Sequence, residues 1–473
     1  TSSHRRLAPQ TFNTMSKRVV VVGGGIAGLS AFRQIRLQQP DVDVVLLEAS
    51  PQLGGKIRTT NFLGRQIDEG ADAFITRVPW AIELCEQLGL DSFLVSPATS
   101  NAYVLVDGAL RKLPKGLVLG VPTKLLPLLR SRVVSPFAAI RAGFDRFLPD
   151  DWPGDDESVG GLIRRRMGDQ IADRLVDPLI GSINAGDTDH LDAALAAPQL
   201  ETAARRHRSL IAGLKEQSKK APEGVRPVFL GFELGMGKLV ETLVKSLGDA
   251  DIRTGTTVTA ITKNTDNLVV RTQQTSIECD AVILATPAHQ AALLLADCQA
   301  ASDRLSSIEH ASVAMVTMGF RQTDVNHPLD GSGMLIPRGE GLLTTAVSWG
   351  SSKWPHWADT EHVILRVSAG RAGDSRALAL EDDELVEALL TEVANILDIN
   401  GDLVEWRVSR WVDAFPQYAP GHDRLIAAIE RDLRSDMGGV FLAGAGYKGI
   451  GIPACINQGN QSAEAALDYL QTL

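Results

Sequence analysis

The stretch Arg18-Val19-Val20-Val21-Val22-Gly23-Gly24-Gly25-Ile26-Ala27-Gly28 reads as a short β-branched strand running directly into a glycine turn, and Leu29 to Leu37 continues it as a helix. Gly23, Gly25 and Gly28 fit G-x-G-x-x-G. The first allows a tight turn, the second lets the backbone approach a pyrophosphate, and the third brings helix close to strand. A helix beginning there offers free N–H groups and positive potential to phosphates. A glycine turn of purely structural use is the plainer reading, and the next segment argues against it. Val42 to Leu47 is a second apolar strand ending in Glu48, 20 residues after Gly28, where an acid would bind a ribose hydroxyl. The pattern predicts a dinucleotide site formed by Gly23, Gly24, Gly25, Ile26, Ala27, Gly28 and Glu48.

The remainder of the chain sets limits on what surrounds that site. Its 473 residues suggest about three domains. A net charge of −10 with 44% hydrophobic and 22% charged residues is an ordinary globular composition, and it argues against a wholesale nucleic-acid binder. Cys85, Cys279, Cys298 and Cys455 show no C-x-x-C spacing, so a disulfide framework and a structural zinc site are not expected, and a reducing, cytoplasmic compartment is. The nine histidines form no paired ligand motif, so no metal is expected. No run of 18 apolar residues suggests a membrane-spanning helix. Residues 1–15, with His4, Arg5 and Arg6 but no apolar core, read as a leader or added tail outside the fold.

Other glycine turns mark the organisation. Gly231 to Leu239 leads into a helical pattern at Val240 to Leu247. Ile252 to Ile261, Leu268 to Thr272 and Ser276 to Ile283 alternate like a meander, and Asp280 to Thr286 reads as a buried strand ended by Pro287. Val440 to Gly446 is another strand running into glycines, followed by a helix from Asn457 to Tyr469. The expected fold is α/β and α+β: a discontinuous Rossmann-like nucleotide-binding domain over 16–98, 221–298 and 436–473, a mainly helical insert over 99–220, and a mixed α/β substrate domain over 299–435 with a helix near Glu381 to Leu397.

One segment departs from the acidic average. Residues 111–147 carry Arg111, Lys112, Lys115, Lys124, Arg130, Arg132, Arg141 and Arg146 against the single acid Asp145, a net +7, among Leu117 to Leu119, Leu125, Leu126, Leu128, Leu129, Phe137, Phe144 and Phe147. Such a segment suits anionic lipid, giving a peripheral membrane contact, or the mouth of a pocket for an apolar polycarboxylate. A solvated cationic helix face is the plainer reading, and Asp150, Asp151, Asp155, Asp156 and Glu157 follow closely enough to offset it.

After Glu48 come Leu53-Gly54-Gly55-Lys56-Ile57-Arg58-Thr59 and Asp68-Glu69-Gly70-Ala71-Asp72-Ala73-Phe74, which a nicotinamide site would not need. They resemble the flavin-containing amine oxidase superfamily, in which the first segment lies over the FAD pyrophosphate and the second near the isoalloxazine. With Ser158 to Asp169, Arg174 to Gly186 and Phe441 to Ile456 (F-L-A-G-A-G-Y-K-G-I-G-I-P-A-C-I), the pattern resembles FAD-dependent porphyrinogen oxidases of haem synthesis over 16–473. The resemblance implies that Gly23 to Gly28, Glu48, Ala49, Lys56, Gly70, Ala71, Asp72, Ala73, Val258, Trp411, Ile450, Gly451 and Ile452 line FAD. It implies oxidation of a porphyrinogen in three two-electron steps, with electrons passed to O2 as hydrogen peroxide, and a haem-pathway enzyme as a partner taking the product. There is a departure. Eukaryotic protoporphyrinogen enzymes carry an arginine just before an aromatic-led strand, and here that strand, Tyr103 to Val106, is preceded by Ala102. The segment Tyr103 to Thr123 looks more like the Gram-positive branch acting on coproporphyrinogen III, with four propionates instead of two.

No Ser-His-Asp or Cys-His arrangement and no obligatory carboxylate base stands out, so the resemblance implies no catalytic residue beyond the flavin. The rivals are protoporphyrinogen IX oxidation, a flavin amine oxidase or carotenoid desaturase, and a catalytically silent FAD-fold binding protein. The ending Gly446-Tyr447-Lys448-Gly449-Ile450-Gly451 departs from the G-x-x-E-G-A of amine oxidases.

Overall fold

The computed structural model describes residues 17–149, 154, 156–219, 227–265 and 267–473. The expected leader over 1–15, the acids Asp150, Asp151 and Asp155 and the expected boundary at 220/221 lie outside the described residues.

A five-stranded parallel sheet holds the strands Asp251–Arg253, Asp43–Leu47, Arg18–Val22, Ala281–Leu284 and Val440–Leu442 in that spatial order. Alternate residues of the valine run feed two cores. Val19 and Val21 pack under the helices Ile26–Gln38 and Ile452–Thr472, while Val20 and Val22 face the antiparallel sheet of Val258–Lys263, Leu268–Thr272 and Ser276–Cys279. Burial on both faces is why these strands lack polar alternation. The two helices lie close because Gly459 faces Ala27: a Cβ there would stand 2.2 Å from the Ala27 carbonyl oxygen. Strand order reverses beside Arg18–Val22, so the crevice at the carboxyl ends of the central strands opens at Gly23.

A second sheet has seven strands in the order Glu405–Pro416, His310–Arg321, His362–Ala369, Thr344–Trp349, Gly333–Leu335, Tyr103–Val106 and Ala109–Lys112. The helix Asp382–Leu397 covers one face. The last two strands come from the segment that the sequence reading assigned to the helical insert. They join the sheet because successive residues are buried on opposite sides, Leu105 in the core of the sheet and Val104 and Val106 in the core of the helices. The helices from Leu125–Ser131 through Leu210–Lys219 form that second core, including a widely wound helix Ala172–Gly181 with Pro178 inside it. The helix His422–Asp436 was not anticipated; its buried Ile426, Ile429 and Leu433 cover the parallel sheet from the second side.

Candidate functional site

At the end of Arg18–Val22 the chain turns at Gly23, whose φ of +109° is costly for any other residue. A Cβ on Gly28 would stand 1.9 Å from the Gly23 carbonyl oxygen, so turn and helix can pack this closely only without one. Gly25 differs: nothing lies within 4 Å of where its Cβ would be. It is the N-cap of Ile26–Gln38, no side chain caps that helix, and no acid occupies its first turn. The result is an open, backbone-lined cradle at a positive helix end.

The second glycine segment closes on the first. Gly54 N–H donates to the Gly24 carbonyl at 2.8 Å, and a Cβ on Gly55 would come within 3.2 Å of Gly25 Cα. The Glu48 carboxylate accepts N–H groups of Gly24 at 2.6 Å and Ser50 at 2.7 Å, while Ala49 beside it is exposed. The Thr256 N–H donates to the Glu48 carbonyl at 2.8 Å, bringing the strand with Val258 to the same end of the crevice. Lys56 Nζ donates to the Ala414 carbonyl, and Trp411 Nε1 donates to the Glu69 carbonyl at 3.2 Å. A Cβ on Gly70 would lie 3.0 Å from the Lys56 carbonyl and 3.2 Å from the Trp411 ring, so these three meet. Ile450, Gly451 and Ile452 form the uncapped start of the last helix. Ala71 and Ala73 flank Asp72 beyond Gly70.

The Asp72 carboxylate is itself engaged: Lys353 Nζ lies at 2.8 Å, Arg366 Nη1 at 3.1 Å, and Trp354 Nε1 donates at 3.0 Å. Burial pushes this carboxyl up, but the two cations and the hydrogen bonds override it and hold it below the usual carboxylate range. Arg366 also donates to the Gly70 carbonyl, so the buried ion pair fixes the Gly70–Ala73 backbone. Asp68 behaves in the opposite way. Buried, and accepting from Thr59 Oγ1 and the Met236 N–H, its carboxyl is pushed up to about 7 because desolvation outweighs those bonds and the nearby Arg366.

Sequence reasoning missed Lys353, Trp354 and Arg366, although an arginine inside the apolar strand His362–Ala369 signals a buried counter-charge. It also passed over His289. That ring meets His310 edge to face at 4.7 Å, and burial lowers both imidazoles, with Lys56 adding to the effect. Thr286 Oγ1 and His289 Nδ1 are buried without hydrogen-bond partners, just past the carboxyl end of Ala281–Leu284. Unsatisfied polar atoms and an open glycine cradle along one crevice fit a large polar cofactor.

A model of the family described as flavin containing amine oxidoreductase matches residues 26–467. The chain belongs to that family. It is an FAD-dependent oxidoreductase with the α/β and α+β architecture expected of it. It is 35% identical to a coproporphyrinogen III oxidase of Bacillus subtilis over 467 residues, 96% of this chain and 98% of the relative. A coproporphyrinogen III oxidase of Staphylococcus aureus is 30% identical over 468 residues, 96% of this chain and 100% of the relative. A crystal structure from Exiguobacterium sp. 255-15, of a candidate protoporphyrinogen oxidase, superposes with a TM-score of 0.87 at 30% identity, covering 96% of this chain and 99% of the other.

Proposed function

We propose that this enzyme oxidises coproporphyrinogen III to coproporphyrin III with O2 as the final acceptor. The observation that carries the reading is its full-length similarity to coproporphyrinogen III oxidases, together with a crevice open for the cofactor at Gly25. Bound FAD supplies a two-electron acceptor for hydride. Gly23 to Gly28 and the helix behind them would hold its diphosphate, and Glu48 and Val258 the adenosine end. Lys56, Ala49, Gly70 to Ala73, Trp411 and Ile450 to Ile452 would line the rest, with Thr286 and His289 as further polar partners. The Asp72–Arg366 pair positions Gly70. The half-buried face of the seven-stranded sheet orients an apolar macrocycle and excludes water from it.

Aerobic assays on the FAD-loaded protein test this. The expected result is coproporphyrin fluorescence appearing faster than autoxidation, with three equivalents of hydrogen peroxide per porphyrin. Faster turnover of protoporphyrinogen IX, the reading favoured by the Exiguobacterium similarity, would move the substrate assignment. Turnover of neither would overturn the function.

The 111–147 segment supports a second statement, on location. No described helix is long and apolar enough to cross a membrane. Yet Leu126, Phe137 (80% exposed), Ile140, Phe144 and Phe147 are all more than half exposed beside Lys124, Arg130 and Arg146. Asp145 does not neutralise this surface, because it is wholly buried against Arg166 at 2.8 Å and accepts from Ser209 Oγ at 2.7 Å. The reading is a peripheral contact with anionic lipid. Co-sedimentation with phosphatidylglycerol vesicles, and not with neutral ones, is the expected outcome. Equal recovery in both supernatants would sink it.

A further inference from the structure

Residues of the seven-stranded sheet that face away from the helix Asp382–Leu397 form a floor. Along neighbouring strands Leu335 pairs with Ala346, Ala346 with Ser368, and Ser368 with Met315. All four are half-buried, whereas their strand neighbours Met334, Val347, Val367 and Val316 are buried under that helix. Their partial exposure shows that this face is less completely covered than the one under the helix.

Just past the ends of two of the floor strands, on one edge, stand arginines. Three residues beyond Leu335 stands Arg338, and three beyond Ser368 stands Arg371. The opposing wall is the wide helix Ala172–Gly181 and the turn after it, where Ala185 is held at φ +47°. Edge and wall are tied together: Arg338 donates to the carbonyls of Gly186 at 2.6 Å and Ala372 at 3.1 Å, and Ala372 N–H donates to the Ala185 carbonyl at 2.7 Å. Ala185 in turn packs on Ala311, Val313 and Phe415. Val313 is paired with Trp411, and Phe415 follows the Ala414 carbonyl that holds Lys56, so this edge adjoins the proposed flavin crevice.

The acids nearest Arg371 are engaged by other groups. Asp177 faces Arg338 at 3.4 Å and is already bound by Thr188, and Asp374 is held by both Nε and Nη2 of Arg376. Arg371, surrounded by Arg338, Asp177, Asp374 and Arg376, is half-buried, and its Nε is buried without a hydrogen-bond partner. Burial and the neighbouring Arg338 disfavour its charge. An arginine fork in that setting lacks a planar anion, and a carboxylate matches its geometry. At the far end of the same floor, Arg111 pairs with Val104 across the edge strands and also has a buried, unpartnered Nε. Cations at two separate margins suit a macrocycle bearing carboxylates on more than one side.

We propose that Arg371, supported by Arg338, binds a carboxylate of the substrate and is a determinant of preference for a tetracarboxylate over a dicarboxylate porphyrinogen. This rests on the porphyrinogen reading above. The test compares FAD-loaded wild type, Arg371→Gln and Arg371→Lys on coproporphyrinogen III and protoporphyrinogen IX, with coproporphyrin III binding followed by flavin fluorescence. Loss of one charge-assisted contact should raise KM for coproporphyrinogen III, and Kd for coproporphyrin III, about tenfold in Arg371→Gln. Expected alongside are kcat within about twofold, a much smaller change for protoporphyrinogen IX, an unchanged flavin content and substantial recovery in Arg371→Lys. Equal losses on both substrates, or an unchanged KM with coproporphyrinogen III in a wild-type-active enzyme, would overturn the role of Arg371 alone. A wild type that accelerates neither porphyrinogen would instead remove the functional reading on which the proposal stands.

Discussion

In the five-stranded parallel sheet the central strands carry only apolar side chains inward, and polar chemistry begins where the strands stop, at Gly23, Glu48 and Thr286. In the seven-stranded sheet polar groups lie within the strands: Arg366 and Thr317 are buried on paired strands, with Asp72 and Gly70 brought over to Arg366 from another part of the chain. The first arrangement presents backbone to a ligand at the carboxyl ends of central strands and needs no buried charge. The second positions loops by means of a buried ion pair, whose partners depend on one another. The two regions should therefore fail differently when altered.

The largest effect is expected from breaking the ion pair. Asp72→Ala leaves Arg366 and Lys353 without their shared carboxylate, at a cost of about 3–5 kcal/mol measured by denaturant unfolding. A loss below 1 kcal/mol would mean that the pair does not hold the Gly70 segment.

Next comes Asp68, whose carboxyl is raised to about 7 in the folded state. A folded-state value above the unfolded one means that the native protein holds the proton more tightly. The associated stability is present below about pH 4 and is lost as pH rises through about 7. Asp68→Asn keeps an acceptor for the Met236 N–H and removes the titration. Its stability relative to wild type should improve by on the order of 2–4 kcal/mol between pH 4 and 8. A parallel pH dependence in the two proteins would refute the assignment.

The smallest change in stability separates two glycines of one loop. Gly25→Ala meets open space at an ordinary φ of −73°, so its unfolding free energy should stay within about 0.5 kcal/mol while FAD affinity falls at least tenfold. Gly28→Ala meets the Gly23 carbonyl and should lose both fold stability and flavin. If Gly25→Ala retained flavin as well as wild type does, the cradle would not be where the diphosphate sits.

The glycine turn was legible because its requirements are local: strand, turn and helix are consecutive, and Gly23 and Gly28 are demanded by atoms within a few residues or just past the adjoining strand. The same holds for Glu48, at the tip of the neighbouring strand. Lys353, Arg366, Arg338 and Arg371 were not legible. Their meaning depends on partners far along the chain, such as Asp72 for Arg366 and Gly186 for Arg338. Sequence spacing carries no information about which distant charge arrives. The cationic run at 111–147 is intermediate. Its composition was plain, but only folding showed that Asp145 turns inward to Arg166 while Phe137 and Ile140 stay outside.

By itself, then, the sequence determined a strand–glycine turn–helix at Gly23 to Gly28, an α/β fold around it and a cationic, apolar segment, since periodicity and backbone freedom are properties of neighbouring residues. Only the tertiary structure decided that Tyr103–Val106 and Ala109–Lys112 belong to the second sheet, that Asp72 is paired instead of free, and that Arg371 is left short of a partner. Those outcomes are set by desolvation and charge pairing between segments that meet only when the chain is folded.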